Sequence, residues 1–406
     1  MHIVLVSYEF PPVTATGGIG SYMYHLSLIL TRSGHKVTVF SANPGAAGVR
    51  VAEYTHCINY LIPAANNDSF REQAVTTFTS FLENNKVDLI ESPEVGACAL
   101  YIKEKFPHIP LLVKMHTPGV LITKVNNTYM PLANKIRFVA GALMKGKIDL
   151  GHWAKHDKNR DSDVEYRICM MADILLSPSV ALKKWAVSYW EIPANIIRVV
   201  PNPFSAEEEL FLLPLQNRPA IVSFVGKLSV LKGMMAFTKA IPLILRQNKE
   251  YKIFLVGRDE VENGQSMQAY MQQQLAEYET RIVFTGALTK EELKKIYASS
   301  RVCVFPSLWE NYPTVVMEAM AAGVAVAASD AGGITEIITH KVTGVVYDAK
   351  QPAQIARAIN ELLADDAKRL ALAKVARNEL LKKMNDTTII KGLLQVYTQF
   401  ENTATK

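Results

Sequence analysis

Four cysteines in 406 residues, Cys57, Cys98, Cys169 and Cys303, are too few and too scattered for a disulfide framework, and none has a spacing suited to zinc. A reducing cytoplasm is the expected setting. Long hydrophobic runs are also missing, since none approaches the ~18 residues a membrane helix needs. The first residues, MHIVLVSYEF, enter a strand-like run at once, with no basic stretch ahead of an apolar one, so no secretory signal is read. No histidine and carboxylate cluster has metal-ligand spacing, and no Ser-His-Asp arrangement is present. The expected chemistry therefore uses neither metal nor cofactor. The balance of 44 Lys and Arg against 38 Asp and Glu leaves only +6, spread along the chain. That is too diffuse for a nucleic-acid partner, yet it favours anionic small molecules or a lipid surface.

Apolar residues make up 49% of the chain, enough for more than one core, and 406 residues exceed what a single core usually holds. Short β-branched runs alternate with segments of helical period. The first series is HIVLVS, KVTVFSA, VDLIES, PLLVKMH, DILLSPS and IIRVVPN; the second is AIVSFVG, YKIFLVG, RIVFTG, RVCVFPS and VAVAAS. Such alternation predicts parallel sheets built from βαβ units. The expected architecture is α/β, two Rossmann-like doubly wound domains facing across a cleft. The first spans 1–203 and the second 219–385, joined by a proline- and acid-rich linker at 204–218. A last helix at 386–406 is placed to cross back to the first domain. In open parallel sheets ligands bind beyond the carboxyl ends of the strands, which directs attention to the loops there.

The first such loop, YEFPPVTATGGIGSY, brings Gly17, Gly18 and Gly20 to a helix start, where backbone amides suit an anion. Its spacing is not the GxGxxG of a dinucleotide site, and a turn with only a packing role is the competing reading. In VGKLSVLKG, Lys227 and Lys232 lie between a strand and a helix, where two cations can converge on a diphosphate, although lysines are commonly solvated. Gly332 and Gly333 in SDAGGITEII stand before an expected helix as a second amide cradle. His116 in VKMHTPGV falls at a strand end. Glu91 and Glu94 in ESPEVGA are similar candidates for the acceptor side, with solvated loop carboxylates the favoured reading.

The stretch SLWENYPTVVMEAMAAG carries two glutamates eight positions apart. Pro313 is suited to a helix start and Gly323 to its end, so Glu310 sits on the entering loop and Glu318 within the helix. Valine, methionine and alanine surround Glu318, and an unpaired carboxylate in such company is costly. A partner for it is expected.

These features together resemble the retaining glycosyltransferases of family 4, with the GT-B fold. The resemblance spans nearly the whole chain, through the glycine-rich first loop, His116, ADILLSPSVALKKWA, VVPNPF and the basic pair. Its most specific part is the E-x7-E signature, Glu310 and Glu318, followed by AMAAGVAVAASDAGGITEII. The resemblance implies a nucleotide-sugar donor. Glu318 would hold the two ribose hydroxyls, while Glu310 and the amides of Asn311 and Tyr312 would orient the sugar. Lys227, Lys232, Gly332 and Gly333 would bind the diphosphate, His116 would touch the sugar, and Gly17 and Gly18 would meet the donor. The acceptor would be a glycan, a lipid-linked molecule or a small molecule. Two departures stand out: lysine replaces the family's usual arginine at 227, which loses a planar fork for phosphate oxygens, and ENYP replaces the common E-G-F-G, which leaves the sugar open; the sequence does not reveal the nucleotide (UDP, GDP or ADP).

Two alternatives remain from the residues alone, a nucleotide-sugar epimerase on the same architecture and a non-catalytic nucleotide-sugar binding protein. Residues 121–160 also hold Lys124, Lys135, Arg137, Lys145, Lys147, Lys155, Lys158 and Arg160, interleaved with Ile136, Val139, Leu143 and Met144. A basic amphipathic helix at an anionic inner membrane face is one reading, and a solvated face the other.

Overall fold

The computed structural model describes residues 1–14, 17–129, 136, 139–141, 143–144, 146, 160–204, 207–262, 265–385 and 388–401. The chain divides into two compact units, residues 1–121 with 155–203 and 387–406, and residues 122–154 with 204–386.

The first unit follows the order β1 (His2–Val6), α1 (Gly18–Arg32), β2 (Lys36–Ala42), β3 (Arg50–Glu53), β4 (Ile58–Ile62), α2 (Asn67–Leu82), β5 (Leu89–Pro93), α3 (Leu100–Lys105) and β6 (Leu111–Lys114). α4 (Gly119–Tyr129) begins here, with its residues from 122 on assigned to the second unit, and the first unit resumes with α5 (Val164–Met171), β7 (Ile174–Ser177), α6 (Val180–Tyr189) and β8 (Ile197–Val199). The eight strands lie in the order β3-β4-β2-β1-β5-β6-β7-β8. All pairings are parallel except that of β3 with β4. Strands β3 and β4, at one end of the sheet, are not expected from the sequence, because RVAE and INYLI are short and mix polar with apolar residues.

The second unit runs through α7 (Glu208–Phe211), β9 (Ile221–Val225), α8 (Met234–Gln247), β10 (Lys252–Val256), the short hairpin β11 (Val261–Glu262) and β12 (Gln265–Ser266), and α9 (Met267–Gln274). It continues with β13 (Ile282–Gly286), α10 (Lys290–Ser299), β14 (Val302–Phe305), α11 (Thr314–Ala321), β15 (Ala325–Ser329), β16 (Val345–Tyr347), α12 (Pro352–Ala364) and α13 (Asp366–Asn385). The last helix, α14 (Thr388–Glu401), falls within the 386–406 segment expected to be helical and belongs to the first unit.

The sheet of the second unit is parallel throughout, in the order β13-β10-β9-β14-β15-β16. Its strands read as unbroken apolar runs because both faces are covered. Alternate residues of β14 feed two cores, Val302 and Val304 one of them, Cys303 and Phe305 the other. This strand order is what builds the site. β9, β14 and β15 are consecutive neighbours, so the loops leaving their carboxyl ends, which carry Lys232, Glu310 and Gly332, emerge side by side.

The segment expected to be a plain linker packs on the second unit through Leu210 and ends in a buried guanidinium. Arg218 donates to the carbonyls of Pro214, Tyr297, Ser300 and Ala322. Burial pushes its pKa down to about 10.

Candidate active site

The helix bearing Glu318 forms as its sequence requires. Pro313 occupies the N-cap with extended backbone, one residue ahead of the first turn, and Gly323 ends the helix with φ at 63°. Val316, Met317, Ala319 and Met320 are buried against the sheet. Each large one contributes roughly 1.5–3 kcal/mol of apolar burial, which fixes the side of the helix that Glu318 occupies. Its Oε2 accepts a hydrogen bond of 3.0 Å from the hydroxyl of Tyr297 on α10, itself 1% exposed. Burial raises the Glu318 pKa, while the Tyr297 hydrogen bond and Lys290 oppose the rise. A small cavity of about 90 Å³ opens beside the carboxylate, lined by Leu210, Lys290, Leu293 and Tyr297 among others.

Glu310 sits where three loops meet. Its Oε1 accepts from the ammonium of Lys232 and, at 2.7 Å, from the hydroxyl of Ser307. Its carbonyl accepts the Gly333 N–H at 2.8 Å. Gly332 has φ at 63°, and a Cβ there would lie 2.0 Å from the Glu310 carbonyl oxygen. Gly233, with φ at 75°, presses the Lys232 loop so close that a Cβ would lie 1.7 Å from the Pro306 carbonyl oxygen. Only glycine serves at either position, and the tight backbone contacts hold Lys232, Glu310 and Gly332 together. Gly332 and Gly333 begin a short 3-10 turn, Gly332–Glu336, rather than the expected helix, because the Gly333 amide is turned onto Glu310. Lys227 is exposed and makes no ion pair among the described residues. Asn311 is 8% exposed and accepts from the Trp309 indole at 2.6 Å; Tyr312 next to it is half-buried, and burial raises its pKa.

In the first unit the glycine-rich loop differs from expectation. Gly17 is the extended N-cap of α1 and Gly18 its first residue, but the anion at this helix start is the chain's own Glu9, whose Oε2 accepts the Gly20 N–H at 3.3 Å. His116 follows β6 as predicted. Its backbone N–H donates to Glu94 Oε1 at 2.6 Å, and its Nδ1 lies 3.4 Å from Glu94 Oε2.

Neither Glu91 nor Glu94 is a solvated loop carboxylate; both are wholly buried. β5 is a central strand, and the helices on it cover its end. Glu91 accepts from the hydroxyls of Tyr22 on α1 and Tyr397 on α14, with the buried Lys114 ammonium over the Tyr22 ring. Burial raises the Glu91 pKa and lowers that of Lys114. Glu165 is a further buried-side carboxylate, accepting from the amides of Gly96 and Gly119; burial first and Glu94 second push its pKa up to about 7.

Two family models divide most of the chain between them: "Glycosyltransferase Family 4" matches residues 16–208 and "Glycosyl transferases group 1" matches residues 205–379. The chain belongs to these glycosyltransferases. An uncharacterized glycosyltransferase of Methanocaldococcus jannaschii is 24% identical over 98% of this chain and 98% of its own length. The fold matches sucrose-phosphate synthase from Thermosynechococcus elongatus with a TM-score of 0.76 at 21% identity, covering 99% of this chain and 100% of that one. It matches Anabaena HepE, solved with UDP-glucose, with a TM-score of 0.68 at 18% identity over 98% and 100%. The architecture of this glycosyltransferase is therefore the GT-B one, two parallel-sheet α/β units.

Tyr297, Ser307, Glu9 and Glu165 escaped the sequence reading. Ser307 adjoins the E-x7-E signature and was within reach of it. The others are joined to their partners only by the fold. The basic segment has most of its charges, including Lys135, Arg137, Lys145, Lys147, Lys155 and Lys158, outside the described residues. No helix of the described residues is long and apolar enough to cross a membrane.

Proposed function

We propose that this glycosyltransferase transfers a hexose, with retention of anomeric configuration and without a metal, from a UDP- or GDP-sugar to a glycan, lipid-linked or small-molecule acceptor. The observation that carries the reading is the junction of Lys232 and Glu310 on loops from adjacent strands of one sheet. Lys232 supplies a cation for the departing diphosphate, and Lys227 adds a second, exposed one. Glu310, with the amides of Asn311 and Tyr312, orients sugar hydroxyls. Glu318 accepts from the ribose diol. The turn at Gly332 and Gly333 lets backbone come close to the phosphates. His116, oriented by Glu94, contacts the sugar. With Glu9 at the start of α1, Gly17 and Gly18 face a donor hydroxyl rather than a phosphate. The UDP-glucose complex of HepE supports a nucleotide-sugar as the donor class.

Departure of a nucleoside diphosphate builds negative charge, and cations and amides already in position lower the barrier by meeting that charge as it forms. Attack from the face the diphosphate leaves needs no protein nucleophile. The test is a panel of UDP-, GDP- and ADP-sugars, scored for nucleoside diphosphate release with and without EDTA. Release from one donor, unaffected by EDTA, supports the reading. No release with any donor and a broad acceptor set, or epimerised donor instead, refutes it.

Contact with an anionic membrane surface is a second element of the proposal. Ile136 is 61%, Leu143 58% and Met144 85% exposed, in a segment whose sequence is rich in lysine. Sedimentation with anionic vesicles at low and high salt checks it, and no binding at low salt rejects it.

A further inference from the structure

We infer that Tyr297 is the positioning residue for ribose recognition, holding one oxygen of Glu318 so that the other is presented to the ribose diol. The inference rests on the donor-binding reading of Glu318 and extends it to a residue outside the E-x7-E signature.

The geometry is specific. The Tyr297 hydroxyl lies at the inner end of a ring that is 1% exposed, and it donates to Oε2 at 3.0 Å. Among the described residues no cation makes an ion pair with Glu318. The two nearby lysines are engaged elsewhere, Lys290 with Glu207 at 3.3 Å and Lys294 with Glu209 and Glu291. The hydroxyl is thus the one side-chain donor to this carboxylate in the described structure.

Two consequences follow for a ligand. A glutamate side chain at a half-buried position has several rotamers, and a buried donor selects one of them before any ligand arrives, which lowers the ordering cost of binding. A hydrogen bond to the charged form also favours the carboxylate, whose free oxygen accepts from the diol more strongly than the oxygen of a neutral acid does. The charged neighbours that face Glu318 are Lys290 from α10 and Glu207 beside α7, which act in opposite directions. Tyr297 is left as the local group that favours the acceptor form at short range.

Tyr297→Phe tests this, because it keeps the ring that fills the core and removes only the donor. Calorimetric titration with UDP, GDP and ADP, each against its 2′-deoxy counterpart, measures how strongly the site reads the ribose hydroxyl. The wild type is expected to prefer the ribonucleotide about tenfold, the scale of one hydrogen bond to a charged group. Tyr297→Phe is expected to shrink that preference to about twofold while affinity for the deoxynucleotide changes little. A residue that only supported the fold would weaken both ligands alike and leave their ratio intact. An unchanged ratio in Tyr297→Phe, with Glu318→Gln abolishing it, overturns the role of Tyr297 and leaves that of Glu318 standing. An unchanged ratio in Glu318→Gln, or no nucleotide bound by the wild type, overturns both.

Discussion

Lys232 and Glu310, 78 residues apart in sequence, share an ion pair whose carboxylate oxygen also accepts from Ser307. The pair is partly shielded, with the two side chains 24% and 13% exposed. Under the proposed donor-binding role, a diphosphate drawing on Lys232 would compete with Glu310 for the ammonium. Both side-chain donors recorded for Glu310, Lys232 and Ser307, go to Oε1.

Glu318→Gln should weaken nucleotide-sugar binding by about 1–3 kcal/mol, the cost of losing a charge-assisted acceptor. The fold should persist, because the amide can still accept from Tyr297. Calorimetry with the active donor measures the loss. Equal affinity would remove Glu318 from the ribose.

Gly233→Ala should lower stability by more than the 1–3 kcal/mol, in order of magnitude, that a left-handed non-glycine residue costs. The added methyl also strikes the Pro306 carbonyl, which is backbone and cannot swing aside. Thermal denaturation reads the effect; a wild-type melting temperature would mean that the two loops separate easily.

Tyr397→Phe should destabilise the first unit by about 1–3 kcal/mol, because Glu91 is fully buried and would lose one of its two phenol donors. A shift in the urea midpoint measures this. No shift would mean that water replaces the hydroxyl.

Glu165 sets a pH dependence. Its pKa is raised to about 7 from 4.5, so between these values the folded chain holds more of this proton than the unfolded chain does. The contribution to stability is complete below about pH 4.5 and is lost as pH rises to about 7. In Glu165→Gln, melting temperatures at pH 5 and pH 8 should lie closer together than in the wild type, because the amide does not titrate. The same pH slope in both proteins would assign the titration to another group.

The inner strands of the second sheet were legible because they are largely buried on both faces and read as apolar runs. β16 was not, since Val345–Tyr347 is too short to stand out. The positions of Glu310, Glu318 and the basic loop were legible from strand-to-helix punctuation, and Pro313 and Gly323 bracket their helix as expected. What spacing could not reveal were the partners. Tyr397 is 306 residues from Glu91, and Tyr297 precedes Glu318 by 21 on a different helix. Glu91 and Glu94 were misjudged for the same reason. A short polar stretch after a strand looks solvated until the helices that cover it are placed.

If protein cations stabilise the departing diphosphate, the decisive quantity is the kcat of Lys232→Ala with the active donor. Removing one well-placed donor costs ~3 kcal/mol in the barrier, on the order of a hundredfold in rate. Lys227→Arg is the companion, and should retain activity if an arginine fork fits the exposed position. Lys232→Ala is expected to lose about a hundredfold in kcat with little change in melting temperature. Wild-type kcat in a variant that melts like the wild type would contradict it.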